Sequence, residues 1–200
     1  MSELKTIRDI AGLGDESTSV SDSALIIIDA QNTYCEGVMK LEGMENALKE
    51  CRVLLDRFRK AGRAVFHIQH DAGPGTPYDV SSRIGQIVDA LAPAQGEPII
   101  TKNYPNSFAG TELDALVKKT GTKNLILVGF MSHMCVNSTA RGAFSLGYRP
   151  TVVASATATR ALPFKITGEV IPASVLNSAA LAALGDLPAA IVGTSANVPD

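Results

Sequence analysis

Three side chains that could act together in covalent catalysis each follow a short apolar run of the sequence. Asp29 ends the run ALIIID, Lys102 ends EPIITK, and Cys135 comes shortly after NLILVGF. Apolar runs of this length are typical of strands that are buried on both faces of a parallel sheet. Because the carboxyl ends of parallel strands meet at one edge of the sheet, we expect the carboxylate, the ammonium and the thiol to lie close together.

These groups would supply a base, a positive charge and a nucleophile. A carboxylate alone is a poor base for a thiol, because their reference pKa values differ by ~4–5 units. Apolar spacing predicts a helix from Cys135 to Gly147, with Ser132 as its N-cap or in the preceding turn. The helix amino end and the Lys102 ammonium would favour the thiolate, and Asp29 would carry its proton to a leaving amine. The simpler interpretation is a structural ion pair and a small apolar cysteine.

Strand and helix patterns alternate along the chain and predict the elements that would position these residues. Apolar runs predict strands at 24–29, 64–69, 97–102, 125–128, 150–155 and 189–193. Helical spacing predicts helices at 44–58, 82–91, 111–120, 135–147 and 172–184. The alternation predicts a three-layer α/β/α fold with a six-stranded, mostly parallel sheet. We expect residues 22–200 to form one domain after a lead-in segment at 1–21, in which residues 1–12 include a short helix.

Composition excludes several classes of function. The net charge of −2 offers no attraction for nucleic acid or for an anionic membrane surface. The three cysteines have no close pair, so a disulfide framework and a zinc pattern are both disfavoured. The first residues, MSELKTIRDI, are too polar for a signal peptide, and no apolar run has transmembrane length. We therefore expect a cytoplasmic protein that acts on a small molecule.

Three blocks of the sequence, in this order, resemble the signature blocks of the isochorismatase-like cysteine hydrolases. The blocks are DAQNTYCEG at 29–37, ITKNYPNSF at 100–108 and GFMSHMCVNSTARGAFSLGY at 129–148. The similarity extends from about residue 22 to residue 193. This superfamily includes nicotinamidases, N-carbamoylsarcosine amidases and isochorismatases. The resemblance implies a Rossmann-like, isochorismatase-type hydrolase fold and a catalytic triad of Asp29, Lys102 and Cys135.

The resemblance also implies features around the triad. It implies a cis peptide bond just before Met131 and an oxyanion hole formed by the backbone N–H groups of Met131 and Cys135. Tyr34 matches a family position that stacks on a flat substrate, and the family forms homo-oligomers, either dimers or tetramers. Further candidates for contact with the substrate, chosen by their positions in the sequence, are Tyr78, Phe108 and His133.

Metal binding separates the subfamilies of this superfamily. Nicotinamidases carry an Asp-x-His pattern after the second strand, whereas the corresponding segment here, FHIQHDAGPGTP, has only His67 and His70. Two residues three apart on a strand point to opposite faces, so joint ligation by these histidines is unfavourable. We expect no metal and no other cofactor, with His67 in the core or hydrogen-bonded and His70 at the edge of the pocket.

The retained cysteine predicts a hydrolase that cleaves a C–N bond of a small-molecule amide through a thioester intermediate. One alternative is an isochorismatase that hydrolyses a vinyl ether, with Asp29 as general acid and Cys135 incidental. Another is a member without catalytic activity that serves as a binding or assembly module, in which Cys135 would be an ordinary thiol. A thiol redox protein is disfavoured, because no two cysteines have CxxC spacing.

Overall fold

A computed structural model describes residues 4–200, and its centre is a sheet of six parallel strands. The strands of this sheet, in chain order, are β1 (Ser23–Ile28), β2 (Val65–His70), β3 (Ile99–Lys102), β4 (Asn124–Phe130), β5 (Arg149–Ala158) and β8 (Ala190–Val192). They are arranged in the order β3-β2-β1-β4-β5-β8, and every neighbouring pair is parallel. The predicted six-stranded parallel sheet is therefore confirmed.

Helices cover both faces of this sheet. The helices are α1 (Ile7–Ile10), α2 (Met44–Lys60), α3 (Leu113–Lys119), α4 (Asn137–Ser145) and α5 (Ala173–Gly185). Alternate residues of β1 enter different cores: Leu25 and Ile27 pack with α2, whereas Ile26 packs with α3, α4 and α5. This alternation follows from the two-residue period of a strand and gives the three layers that the sequence predicts.

The predicted helix at 82–91 is wrong. Two short 3-10 turns, Arg83–Gly85 and Asp89–Leu91, stand there with extended residues between them. The backbone of this segment bonds to the loop after β1: Val88 donates to the Ala30 carbonyl and the Gln86 carbonyl accepts from Asn32. These long-range bonds replace the i to i+4 bonds that a helix would need.

Two strands were not predicted. Leu162–Phe164 (β6) and Glu169–Ile171 (β7) form an antiparallel hairpin outside the main sheet. In addition, β5 extends to Ala158, beyond the predicted end, because its pairing with β4 resumes after a register shift. The prolonged strand takes the chain to the sheet edge where the candidate residues lie.

The N-terminal segment is held to the rest of the chain by Arg8. Its guanidinium donates to the carbonyl groups of Gly14 and Leu187 and pairs with Asp15 at 3.1 Å. The short helix predicted within 1–12 is present as α1, and both Ile7 at its start and Leu4 before it are exposed. The part of that prediction on residues 1–3 lies outside the described residues.

No helix within residues 4–200 combines the length and apolarity that a membrane span requires.

A charged network holds the start of β3, the strand that ends in Lys102. Glu97 accepts two hydrogen bonds of 2.8 Å from the Arg59 guanidinium, and its Oε2 lies 2.9 Å from Nε2 of the buried His67. These contacts, above all those with Arg59, lower the pKa of Glu97 from its ordinary 4.5 to about 2. The network connects α2, β2 and β3, and confirms the hydrogen-bonded role expected for His67.

Gly129 allows β1 and β4 to approach closely beside the candidate site. Its φ is +112°, and a Cβ atom at this position would lie 2.0 Å from the carbonyl oxygen of Ile28. That oxygen belongs to backbone, which cannot move aside without displacing the strand end that carries Asp29. Only glycine fits both the space and the backbone conformation at this position.

We expect Gly129→Ala to lower the free energy of unfolding by about 3 kcal/mol or more, because strain and overlap act at the same residue. Urea denaturation followed by circular dichroism would measure the change. Gly14→Ala is the matched control, since its Cβ would meet nothing within 4 Å and its φ is not positive. Equal stability of the two variants would contradict the conclusion that β1 and β4 approach too closely at Gly129 to admit a Cβ atom.

We expect Glu97→Gln to lower the free energy of unfolding by roughly 1–3 kcal/mol at pH 7. The carboxylate has a lowered pKa in the folded state, so its contribution is present above about pH 4.5 and is lost as the pH falls toward 2. Denaturation midpoints of the variant and the unmodified protein should therefore converge between these pH values. A difference that persists unchanged at the lowest pH would contradict the role assigned to Glu97.

Candidate active site

Asp29, Lys102 and Cys135 meet at the carboxyl edge of the sheet. The Lys102 ammonium lies 2.7 Å from Oδ2 of Asp29 and 3.4 Å from Sγ of Cys135. All three side chains are buried, and Cys135 has only 5% of its surface exposed. The expected convergence of carboxylate, ammonium and thiol is therefore present in the structure.

Asp29 follows β1 in an unusual backbone conformation. Its φ is +49°, in the left-handed region that residues other than glycine seldom adopt. Its N–H donates to the Ile68 carbonyl at 3.0 Å, which fixes the backbone against β2. Oδ2 contacts the Lys102 ammonium, whereas Oδ1 has no hydrogen-bond partner among residues 4–200. One carboxylate oxygen is thus free to accept a proton.

A tight turn places Cys135 after β4. The peptide bond between Phe130 and Met131 is cis, and residues Ser132–Val136 form a single π-helical turn that leads into α4. The Met131 carbonyl accepts from the N–H groups of Met134 and Val136. Cys135 therefore lies in the turn that leads into α4, and α4 itself begins at Asn137, two residues later than the sequence predicts. Ser132 is in this turn and makes no capping bond, so the second of its two predicted positions is the one observed.

The Met131 N–H group is available to a ligand. Within the described part of the chain it donates to no backbone or side-chain acceptor. Met131 is 5% exposed and lies at the start of the turn that carries the thiol. An N–H group held in a buried turn without an acceptor is suited to bind an oxygen that becomes negative during a reaction.

The thiol is neutral in the resting site. Burial raises the pKa of Cys135 from its ordinary 9.0 to about 12, and the Asp29 carboxylate acts in the same direction. The Lys102 ammonium lowers the pKa but does not outweigh these two effects. This direction is opposite to the thiolate expected from the sequence. A nucleophilic role for Cys135 would therefore require its proton to be removed, and Asp29 is the carboxylate whose charge acts on the thiol.

His70 is a third neighbour of Lys102. Its Nδ1 lies 3.2 Å from the Lys102 ammonium, and the two residues are paired in register on β2 and β3. Burial, followed by the positive charge of Lys102, lowers the pKa of His70, so the imidazole is neutral and can accept from the ammonium. The sequence analysis places His70 only at the edge of a pocket. The shared position of His70 and Lys102 at adjacent strand ends is the signal that could have revealed this contact.

Two tyrosines lie beside the triad. The Tyr34 ring packs edge-on against Tyr78 with centroids 5.9 Å apart, and Tyr78 packs edge-on against His70 at 5.0 Å. Burial raises the pKa of both hydroxyl groups, and the charge of Asp29 raises them further. Tyr34 and Tyr78 are therefore neutral aromatic walls near Asp29 and Cys135.

His133 connects the turn that carries Cys135 to the end of β5. Its Nδ1 lies 2.5 Å from Oγ1 of Thr159, directly after the end of β5. Burial, and then the positive charge of Arg160, lowers the pKa of His133, which keeps the imidazole neutral. The ring that was predicted to contact substrate thus already has a partner in the protein, and this partner holds the turn in place.

The prediction that Phe108 lines the pocket is corrected. Its ring stacks on Tyr148 with centroids 5.7 Å apart and planes inclined by 18°. The Tyr148 hydroxyl donates to Asp114 of α3 at 2.7 Å, and Tyr148 directly precedes the amino end of β5. Phe108 therefore packs at the far end of α4 from Cys135, where position in the sequence gave no indication of its direction.

Arg160 is a second residue that the sequence analysis does not single out. It follows Thr159 at the carboxyl end of β5, the end where Asp29 and Cys135 follow their own strands. Its charge influences both Tyr78 and His133. A lone arginine in the segment ATATRALP has no distinguishing spacing, so only the structure places it beside the site.

Among residues 4–200, no three or more His, Cys, Asp or Glu side chains are grouped so that they could hold a metal ion. Of the two histidines after the second apolar run, His67 contacts Glu97 and His70 contacts Lys102.

Comparison with known proteins identifies the family. The sequence model of the isochorismatase domain matches residues 23–165. A secreted isochorismatase effector of Verticillium dahliae is 33% identical over 96% of this chain and 98% of its own length. A streptothricin hydrolase of Streptomyces noursei is 33% identical over 88% of this chain and 64% of its own length.

A solved structure agrees with these matches. The crystal structure of an isochorismatase from Pseudomonas putida is 37% identical and superposes with a TM-score of 0.93, covering 98% of this chain and 100% of that one. Sequence and fold therefore agree over nearly the whole length of both chains. The protein belongs to the isochorismatase family.

Proposed function

We propose that the protein is a cysteine-dependent hydrolase that cleaves the C–N bond of a small-molecule amide, with Asp29, Lys102 and Cys135 as its catalytic residues. The observation that carries this proposal is the buried Lys102 ammonium, which lies 2.7 Å from the carboxylate of Asp29 and 3.4 Å from the sulfur of Cys135. An ion pair formed for stability alone would not require a thiol as its third member.

The first step would join sulfur to the carbonyl carbon of the substrate. As the C–S bond forms, the thiol proton passes to the free Oδ1 of Asp29, because the thiol is neutral at rest. The carbonyl oxygen gains a negative charge, which the N–H groups of Met131 and Cys135 would stabilise. Lys102 offsets the negative charge that moves between sulfur and carboxylate.

The second step would release the amine and restore the enzyme. Protonated Asp29 gives its proton to the leaving nitrogen as the C–N bond breaks, which leaves a thioester on Cys135. Asp29 then accepts a proton from water, whose oxygen attacks the thioester carbon. The C–S bond breaks, the acid product leaves, and Asp29 returns the proton to sulfur. This sequence uses no metal and no cofactor.

Tyr34 and Tyr78 are the proposed contacts for the flat part of the substrate. Tyr34 packs edge-on behind Tyr78, and the neutral aromatic surface of this pair near the thiol would form one wall against a planar amide. His133 would act as a positioning residue, because its bond to Thr159 holds the turn that carries Met131 and Cys135.

The relatives support a hydrolase and also define the second candidate function. The Streptomyces noursei relative is named as a hydrolase of streptothricin, whereas the Verticillium dahliae and Pseudomonas putida relatives are named as isochorismatases. Vinyl-ether hydrolysis would use Asp29 as general acid and would leave Cys135 neutral throughout. The raised pKa of the thiol is compatible with that reaction, so the test must examine Cys135 directly.

A homo-oligomer and a cytoplasmic location stay predictions. The Verticillium dahliae relative is named as a secreted protein.

We expect Cys135→Ala to lower kcat for amide hydrolysis on the order of 10³-fold or more, because the nucleophile is removed. An ammonia-release screen of small amides would identify a substrate, and acid-quenched mass spectrometry would detect the acylated Cys135. Cys35→Ala is the matched control, since Cys35 is half-buried and does not contact Lys102. Retention of most activity by Cys135→Ala would instead support vinyl-ether hydrolysis.

We expect Asp29→Asn to abolish turnover and to accelerate alkylation of Cys135 about tenfold or more at pH 7–8. The substitution removes the negative charge of Asp29 and the hydrogen bond of its carboxylate with the thiol, both of which raise the pKa of Cys135. The Lys102 ammonium still lowers that pKa. Brief treatment with iodoacetamide from pH 5 to 9, followed by peptide mapping, measures the rate at each cysteine.

Asp56→Asn serves as the control for this experiment, because Asp56 forms an exposed pair with Arg52 on α2. Thermal unfolding of each variant would verify that the fold is retained. Alkylation of Asp29→Asn at or below the rate of the unmodified protein would contradict the assigned proton transfer.

A further inference from the structure

His70 completes the set of partners around the Lys102 ammonium. An ammonium has three N–H donors and no acceptor. The Lys102 nitrogen lies 2.7 Å from Oδ2 of Asp29 and 3.4 Å from Sγ of Cys135. It also lies 3.2 Å from Nδ1 of His70. Lys102 is buried, so its donors depend on side chains rather than on water. The number of partners found among residues 4–200 equals the number of donors.

The contact with Lys102 fixes the protonation state of the His70 imidazole. Because an ammonium can only donate, Nδ1 of His70 has to carry a lone pair, and the proton of the neutral ring is on Nε2. A proton on Nδ1 would point at an N–H group of Lys102 and would place two positive charges close together without water between them. The contact therefore exists only while His70 is neutral.

Gln31 holds the backbone of His70 in the position that this contact requires. The buried side-chain amide of Gln31 accepts from the His70 N–H and donates to the His70 carbonyl, both at 2.9 Å. It also donates to the Gly85 carbonyl at 2.6 Å, and the backbone N–H of Gln31 donates to the Asp29 carbonyl at 2.8 Å. Gln31 thus connects the ends of β1 and β2. The contacts of both strand ends with Lys102 close a ring.

Four side chains surround or act on the His70 imidazole within the described chain. Lys102 contacts it from β3, and Tyr78 packs edge-on against it from the loop after β2. Burial, and then the Lys102 ammonium, lower the pKa of His70 from its ordinary 6.5, and the carboxylates of Asp29 and Asp71 oppose this effect without outweighing it. The imidazole is therefore neutral at pH 7 and becomes protonated only when the pH falls below 6.5.

We infer that His70 is a positioning residue of the proposed reaction: its neutral Nδ1 accepts from Lys102 and directs the ammonium toward the carboxylate and the thiol, and protonation of His70 inactivates the site. A neutral acceptor suits this place, because Asp29 and Lys102 already balance in charge and a second carboxylate would leave a buried negative charge in excess. Without His70, one N–H group of the ammonium would have no acceptor. This inference rests on the proposed function and adds a pH-dependent control to it.

Heteronuclear NMR of the imidazole nitrogens tests the contact without a substrate. Such spectra distinguish a protonated ring nitrogen from an unprotonated one, and His70→Asn identifies the signals of His70 among the three histidines. We expect the proton on Nε2 and a pKa below 6.5 that rises in Lys102→Met, because a neighbouring positive charge is removed. If Lys102→Met does not fold, Asp29→Asn/Lys102→Met replaces it. The pKa should rise there too, since Lys102 has the larger effect of the two.

The pH profile of turnover tests the role of His70 in the reaction. Asn places Oδ1 where the imidazole has Nδ1 and does not take up a proton in this range. We therefore expect His70→Asn to keep most of kcat at pH 7 and to shift to lower pH the decline that the unmodified protein shows below pH 6.5. His70→Leu has no acceptor, so kcat should fall about tenfold or more with little change in KM.

His67→Gln is the matched control for the pH profile. His67 lies on the same strand as His70 but contacts Glu97 instead of Lys102, and Gln can keep that contact. This variant should decline at the same pH as the unmodified protein. Thermal unfolding verifies that each variant is folded.

The outcomes separate this inference from amide hydrolysis. The expected NMR result, with a shifted decline in turnover of a vinyl ether and no cleavage of any amide, supports the inference and counts against amide hydrolysis. Amide cleavage whose acid decline is the same in His70→Asn supports amide hydrolysis and overturns the inference. A proton on Nδ1 of the neutral ring, a pKa unchanged in Lys102→Met, or equal losses of kcat in His70→Asn and His70→Leu also overturns it. If no compound is turned over, the NMR titration alone decides.

Discussion

The buried ammonium of Lys102 sets the requirements that the surrounding structure has to meet. A positive charge removed from water is costly unless it has close partners. Asp29, Cys135 and His70 provide these partners, each from the end of a different strand. The strand register must therefore be correct across β2, β3, β1 and β4 at once, because a shift of one residue would turn each side chain to the opposite face.

The architecture could be predicted because its determinants are local. Buried parallel strands have continuous apolar sequences, and the intervening helices have apolar residues at helical spacing. The secondary-structure predictions fail where a segment forms hydrogen bonds with backbone that is far away in the sequence. The segment at 82–91 has a helical pattern, but its backbone bonds to Ala30 and Asn32, which no local pattern can reveal. Likewise, β5 continues to Ala158 only because β4 offers it further pairing after a register shift.

The candidate site could be predicted in its residues but not in its electrostatics. Asp29, Lys102 and Cys135 were identified because strand ends of one kind share an edge. The pKa direction of the thiol was wrong, because burial outweighs a neighbouring charge and burial depends on the complete packing. The direction of a loop side chain depends on packing in the same way, which explains why Phe108 was misplaced and Arg160 was overlooked.

The strand order has a consequence for how the candidate site is assembled during synthesis. The central strand β1 is made first, yet its two neighbours in the sheet are β2 and the much later β4. Long crossovers between parallel partners give a high contact order. Chains of this kind fold slowly, because the conformational entropy of closing long loops is lost before the stabilising contacts form. A nascent chain that has not yet released β5 from the ribosome contains Asp29, Lys102 and Cys135 but lacks Thr159, the partner of His133 in the turn that carries Cys135. That turn therefore gains its contact with the end of β5 only after all three candidate residues have been synthesised.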